Sequence, residues 1–349
     1  MPRLRRFSGK HAELPNKWKP EKTELLMMEP LQDITSLILH TAYCKESPTR
    51  PPFNASLLML GERETGRTEM LKKFLNEEAL SHGVVFRGRI SGWGIVRDLT
   101  EYVKWEKGYE GYDYKYPPIE SINYHEVKHI VTGDLARVIS YNASSAGATI
   151  QLLDEMMEEG LIPHSDYSKS PSLMEPFRGL QVGLIAAIND FGFFKSVGKV
   201  EKKLSRIQRL SWQAGGFTGR PTPFSFDHSL SLQSRVLDSI FCKDGYELDF
   251  VNKFSFKFPS EPEYVEISNE HENWLREIND EIAEKIGEKG YRSGKNLRRL
   301  ARASAIREHR LHTNDHDIER IEFLSYWMNW NMNFLQSSRI SKFYEFNGM

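Results

Sequence analysis

The stretch Gly61-Glu62-Arg63-Glu64-Thr65-Gly66-Arg67-Thr68 constrains this chain more than any other. It fits the pattern G-x-x-x-x-G-[K/R]-T, follows the apolar run Ser56-Leu57-Leu58-Met59-Leu60 and precedes a helical apolar pattern over 69–80. A strand that ends in such a turn and leads into a helix curls its backbone N–H groups around phosphate oxygens. The glycines permit the curl, and the helix start adds its positive end. A fully apolar strand of this kind belongs in a parallel sheet covered on both faces, so the turn predicts an α/β chain. Thr68 is placed to offer its hydroxyl to a magnesium ion. Arg67 stands where the pattern usually has lysine. A planar guanidinium pairs phosphate differently from a compact ammonium, which alters the geometry for hydrolysis.

Around that turn the pattern alternates. Residues 31–42 have helical apolar spacing and end at the breaker Ser47-Pro48-Thr49-Arg50-Pro51-Pro52. Val84-Val85-Phe86, Ile150-Gln151-Leu152-Leu153 and the run 182–188 read as further buried strands, while 109–118 is a turn-rich aromatic loop. Strand and helix alternate as far as Asp190, as in a three-layer α/β domain. Beyond about Asp227 helices take over. Leu275, Ile278, Ile282 and Ile286 share one helical face, and further helices are expected over 294–308 and 315–334. The expected division is a basic arm over 1–22, an α/β nucleotide-binding core over 23–227 and an all-helical lid over 228–349.

A second acidic element is expected at the end of the 150–153 run. There Asp154 would hold Mg²⁺ and Glu155 would polarise an attacking water, the arrangement of a Walker B strand. With these parts in order, the chain resembles the AAA+ superfamily, with the minichromosome maintenance helicases and the MoxR-type ATPases as nearest kin. The resemblance runs roughly from Leu31 to Ile321. It implies a P-loop core with a C-terminal helical lid, ATP and Mg²⁺ as cofactors, and assembly into a homo-oligomeric, hexameric ring. It makes Asn189, ending Gly183-Leu184-Ile185-Ala186-Ala187-Ile188-Asn189, the sensor 1 residue. Arg206, in Leu204-Ser205-Arg206-Ile207, becomes the arginine finger that enters a neighbour's site, with Arg209 as its rival. The segment from Arg292 to Ala305, followed by Thr313 and Asp315-His316-Asp317-Ile318, is similar to the lid helix and its closing turn. That similarity makes Arg292 the sensor 2 residue, with Arg298 and Arg299 as alternatives.

Other signals compete less well. His125-Glu126-Val127-Lys128-His129 spells H-E-x-x-H, a zinc pattern when helical, but it places Lys128 in the helix and lacks a third ligand. An ordinary helix is expected there. His309, His312 and His316 fit a solvated helix end. Tyr109, Tyr112, Tyr114 and Tyr116, with Trp93 and Trp105, offer stacking surfaces for single-stranded nucleic acid or the packing of a loop. Phe323, Trp327, Trp330 and Phe334 recur at helical spacing and suit a core or an interface.

Composition sets the outer limits. The 349 residues are 39% hydrophobic and 27% charged, with no run long enough to span a bilayer, so no membrane partner is expected. Residues 1–22 lack the apolar segment of a signal peptide, and Cys44 and Cys242 alone form no disulfide framework, which suits a cytoplasmic protein. A net charge of −1 gives no overall pull toward DNA, although Arg3, Arg5, Arg6, Lys10, Lys17, Lys19 and Lys22 make the arm basic. Two functions follow from the resemblance. One is a ring-forming ATPase that moves or remodels DNA. The other is a nucleotide-gated switch or protein-complex remodeller with a partner protein, hydrolysing slowly or not at all because of Arg67.

Overall fold

The structure is a computed structural model, and it describes residues 29–61, 67–68, 71, 77–88, 90–135, 143–158, 160, 171–177, 179–189, 220–225, 258–286 and 289–328. The basic arm, residues 62–66 of the glycine-rich turn, Arg206, Arg209, Trp330 and Phe334 lie outside these residues. So does the expected boundary at Asp227.

In chain order the elements are α1 (Glu29–His40), β1 (Cys44–Lys45), β2 (Leu57–Gly61), α2 (Glu77–Ser81), β3 (Val84–Phe86), α3 (Gly92–Glu106) and β4 (His129–Thr132). There follow α4 (Ala143–Glu158), α5 (Pro171–Met174), β5 (Gly183–Asn189), β6 (Thr222–Ser225), β7 (Glu263–Tyr264), α6 (Asn269–Ile286), α7 (Tyr291–Arg307) and α8 (Asp315–Ser325). Among the described residues five strands form one sheet in the order β3-β4-β5-β2-β6, every pair parallel. The chain is thus α/β, as the turn predicted, with β2 and β5 adjacent near its centre.

Alternation along β2 explains the layering, because successive side chains leave a strand on opposite faces. Leu57 and Met59 join α1, α6, α7 and α8 in one core cluster. Leu58 and Leu60 join α3 and α4 in the other. Apolar residues on both sides are what a parallel sheet covered by helices on both faces requires. At the sheet's edge β6 carries Pro223, tolerated there because an edge strand leaves one row of N–H groups unpaired.

Helix α1 is buried all round, including Gln32, Asp33, Thr35 and Ser36. Such a helix lies inside the molecule, between layers. The Asp33 carboxylate sits 2.6 Å from Arg307 of α7 and 3.3 Å from Arg320 of α8, so the helix that opens the fold is pinned to two that close it. A carboxylate removed from water needs such partners. Phe224 of β6 stacks on Trp327 at 6.1 Å, and Trp327 meets Phe323 edge-on at 4.9 Å. The C-terminal helices therefore share one continuous core with α1 and a face of the sheet. Trp327 and Phe323 serve packing, as their spacing suggested.

Two expectations fail. Residues 150–153 are not a strand but the middle of α4. A four-residue apolar run is ambiguous by itself. Over a longer window Ile150, Leu153 and Met157 recur at helical spacing, and all three are buried. The residues of the H-E-x-x-H pattern are not helical either: His125 and Glu126 lie in a turn and His129 opens β4.

Candidate nucleotide site at the carboxyl crest of the sheet

All five strands point the same way, so the sheet has a carboxyl crest and an amino edge. Ligands of open α/β sheets bind at the crest, where strand order reverses. Gly61 ends β2 there and stands in register with Asn189, which ends β5. The pairing of the central strands alone brings these two sequence-predicted residues together.

Arg67 and Thr68 are helical, and they follow the turn. The Thr68 hydroxyl donates to the Gly133 carbonyl at 3.0 Å. Gly133 directly follows β4, so Thr68 sits over the carboxyl end of that strand. The approach is close: a Cβ on Gly133 would lie 2.7 Å from Thr68 Cγ2, a contact that side chains do not tolerate. Only glycine lets the threonine come this near. A hydroxyl that donates its hydrogen keeps its lone pairs, so the bond orients Thr68 without removing its capacity to face a cation. Arg67 is 7% exposed, with its guanidinium held inside the fold.

The carboxylate next to this contact is Asp134, half-buried immediately after Gly133. Sequence reading missed it. The signal is present, as the stretch His129-Ile130-Val131-Thr132 followed by Gly133-Asp134, but His129 also closes the H-E-x-x-H pattern, which masks the start of the strand. The next residue, Leu135, is fully buried, so no second acid follows Asp134.

The expected metal and water-activating pair lies elsewhere. Asp154 and Glu155 belong to the last turns of α4, which runs from the crest side toward the amino edge. Asp154 pairs with Arg220, two residues before β6, and Arg220 pairs again with Glu158. Burial pushes the Asp154 carboxyl up to about 6, outweighing the pull of Arg220 and Arg292. Glu155 accepts from Gln151 at 3.1 Å along the same helix. Arg292, in the first turn of α7, faces Glu158 at 3.7 Å, also at the amino edge. A strand of β2's length separates the two ends of the sheet by roughly 16 Å. The structure thus brings Asp154 and Arg292 toward each other and away from Gly61 and Thr68. Of the alternatives to Arg292, Arg298 pairs with Glu272 at 2.7 Å and Arg299 with Glu46 at 2.6 Å.

The H-E-x-x-H residues are structural. His129 is buried with its Nε2 3.2 Å from the Ala55 carbonyl, and burial lowers its pKa to about 4. His125 contacts Glu106 at 2.6 Å, and Lys128 donates to the Tyr43 hydroxyl at 2.7 Å. Among the described residues no cluster of histidine, cysteine and acidic groups is arranged to hold a metal ion. The aromatic loop is a loop, as expected. Tyr112 donates to Glu101 and Trp105 to the Tyr114 carbonyl at 2.8 Å, while Trp93, Tyr114 and Tyr116 are exposed. No helix among the described residues is long and apolar enough to cross a membrane.

No protein-family profile matches the chain, and no curated protein matches it.

Proposed function

We propose that the chain is a P-loop nucleotide-binding protein of AAA+ type, in which ATP binding rather than rapid turnover carries the function. The observation that carries this reading is the Thr68–Gly133 hydrogen bond, set beside the Gly61–Asn189 register. Together they gather the end of the phosphate-binding loop, a strand-terminal asparagine and Asp134 at one crest. The residues fit a magnesium nucleotide: Gly61 to Thr68 would hold the phosphates, with Thr68 and Asp134 facing the cation. Bound Mg²⁺ would neutralise phosphate charge there.

The switch is favoured over the motor by what surrounds Asp134. Its neighbour is the buried Leu135, where a water-activating acid would be needed, and Arg67 replaces the usual lysine. Asn189, at the crest beside Gly61, supports the second reading of a ring-forming ATPase acting on DNA or on a protein complex. In that reading Arg206 would complete a neighbour's site.

ATP binding and turnover by the wild type, Arg67→Ala, Thr68→Val and Asp134→Asn separate these. Mg²⁺-dependent binding that weakens in all three variants, with little turnover, is expected. Turnover stimulated by DNA would move the assignment to the motor. No ATP binding at millimolar nucleotide would end both.

A further inference from the structure

The amino edge of the sheet holds a cavity of about 300 Å³, at the end remote from Gly61. Its floor comes from the residues that lead into the strands: Ser56 before β2, Gln181 before β5 and Arg220 before β6. Its roof is the first turns of α7, and Pro51, Pro52, Phe53 and Met157 give it an apolar wall.

Charge here is lopsided. Among the described residues five cations line the cavity, Arg50, Arg220, Arg292, Lys295 and Arg299, against the two carboxylates Glu46 and Glu158. Asp154, behind Arg220, raises the anionic count to three, which leaves an excess of two positive charges. The acids have a defined task. Glu46 holds Arg299 at 2.6 Å, with that guanidinium lying 3.2 Å above the Phe53 ring, and Glu158 with Asp154 holds Arg220. Both arginines are thereby fixed in the walls, with side chains only 12% and 14% exposed. Burial drives the Arg299 pKa down, so the charge is maintained against an opposing solvation cost. Arg50, Arg292 and Lys295 line the cavity and are exposed residues. Neither Arg50 nor Lys295 makes an ion pair among the described residues.

A concave site with low-dielectric walls and one dominant sign of charge concentrates counter-ions of the opposite sign. Planar guanidiniums held by carboxylates present forks suited to phosphate oxygens. An excess of two charges matches a dianion, and the volume lies at the lower end for small-molecule pockets. We infer that this cavity is a second anion site, binding the phosphate group of a small phosphorylated molecule whose remainder rests on the Pro51–Phe53 wall. It is separate from the crest site and does not depend on the nucleotide assignment there.

Its position gives it a route to the crest. Ser56 Oγ accepts from the Leu184 N–H at 2.9 Å, so the floor of the cavity ties together the starts of β2 and β5, whose far ends are Gly61 and Asn189.

The test is calorimetric titration of the full chain with inorganic pyrophosphate, using the wild type, Arg67→Ala and Arg50→Glu/Lys295→Glu. Binding retained in Arg67→Ala and weakened about tenfold or more in the double variant is expected. If the double variant does not fold, as judged by circular dichroism, Lys295→Gln replaces it with a smaller loss in the same direction. Pyrophosphate binding that vanishes in Arg67→Ala, that is unchanged by the rim substitutions, or that is absent from the wild type would overturn the inference. So would an oligothymidylate that binds through the same rim residues more tightly than pyrophosphate, because the ligand would then be a nucleic-acid backbone.

Discussion

At Gly133 the addition of one methyl group pushes on Thr68. Gly133→Ala places a Cβ 2.7 Å from Thr68 Cγ2 and 3.3 Å from its hydroxyl. Overpacking of this kind costs about 1–3 kcal/mol. The expected outcome is a lower melting temperature together with weaker Mg²⁺-dependent ATP binding, whereas a purely structural contact would lower the first alone. His129 makes a prediction in pH. Its folded pKa, near 4, lies below the value of 6.5 for a free imidazole, so between these limits the unfolded chain binds more protons. The stability conferred by the neutral, buried ring is complete above pH 6.5 and is lost as pH falls toward 4, by an amount on the order of 3 kcal/mol. Asp154, with its pKa raised by burial, acts in the opposite sense over pH 3.8 to 6. Urea stability should therefore rise less steeply between pH 4 and 6.5 in His129→Gln than in the wild type, and the difference between the two isolates the histidine. Gly61, Thr68 and Asn189 could be singled out in the sequence because each belongs to a local pattern. Asp134 could not, since its proposed role rests on the contact of Thr68 with Gly133, between residues far apart in the chain.

Among the elements, α4 decides which carboxylate stands near the crest. Were 150–153 a strand, Asp154 would point toward the proposed nucleotide site; as a helix it carries Asp154 to the opposite end of the sheet. Asp154→Asn is thus expected to leave Mg²⁺-dependent ATP binding within about twofold of the wild type, while Asp134→Asn weakens it by roughly tenfold or more. The reverse ranking would restore the strand-like role to Asp154. The helices at the two ends of the chain were legible because their apolar periods are long: α1 and α6 emerge where the spacing placed them. The short strands were harder. β4 was hidden behind a histidine pattern, and the four residues of β6, with a proline among them, carry too little signal to separate from a loop. At α8 the turn chemistry is explicit. Asn314 accepts from the Asp317 N–H at 3.2 Å and the Asp317 carboxylate accepts from the Asn314 N–H at 2.9 Å, a reciprocal cap that stops and starts the chain at a defined residue. Asn314→Ala should cost about 1 kcal/mol in a denaturant titration.

For the molecule as a whole, the expected separation into core and lid meets a shared interior. Asp33 reaches α7 and α8, and Trp327 lies against Phe224 of the sheet. Such an interior predicts one cooperative calorimetric transition for the wild type, and a loss of about 3–5 kcal/mol for Trp327→Ala without a second transition appearing. Two resolved transitions would mean that the C-terminal helices fold apart from the sheet. The borders of the sheet carry a last consequence. One outer strand, β3, is only three residues long, and the other, β6, presents Pro223 and is bridged at Phe224 by Met328. Backbone added from another copy would find at one border almost nothing to pair with, and at the other a missing donor and an occupied rung. Among the described residues the five-stranded sheet thus offers a second copy little edge backbone to pair with, which disfavours joining it border to border.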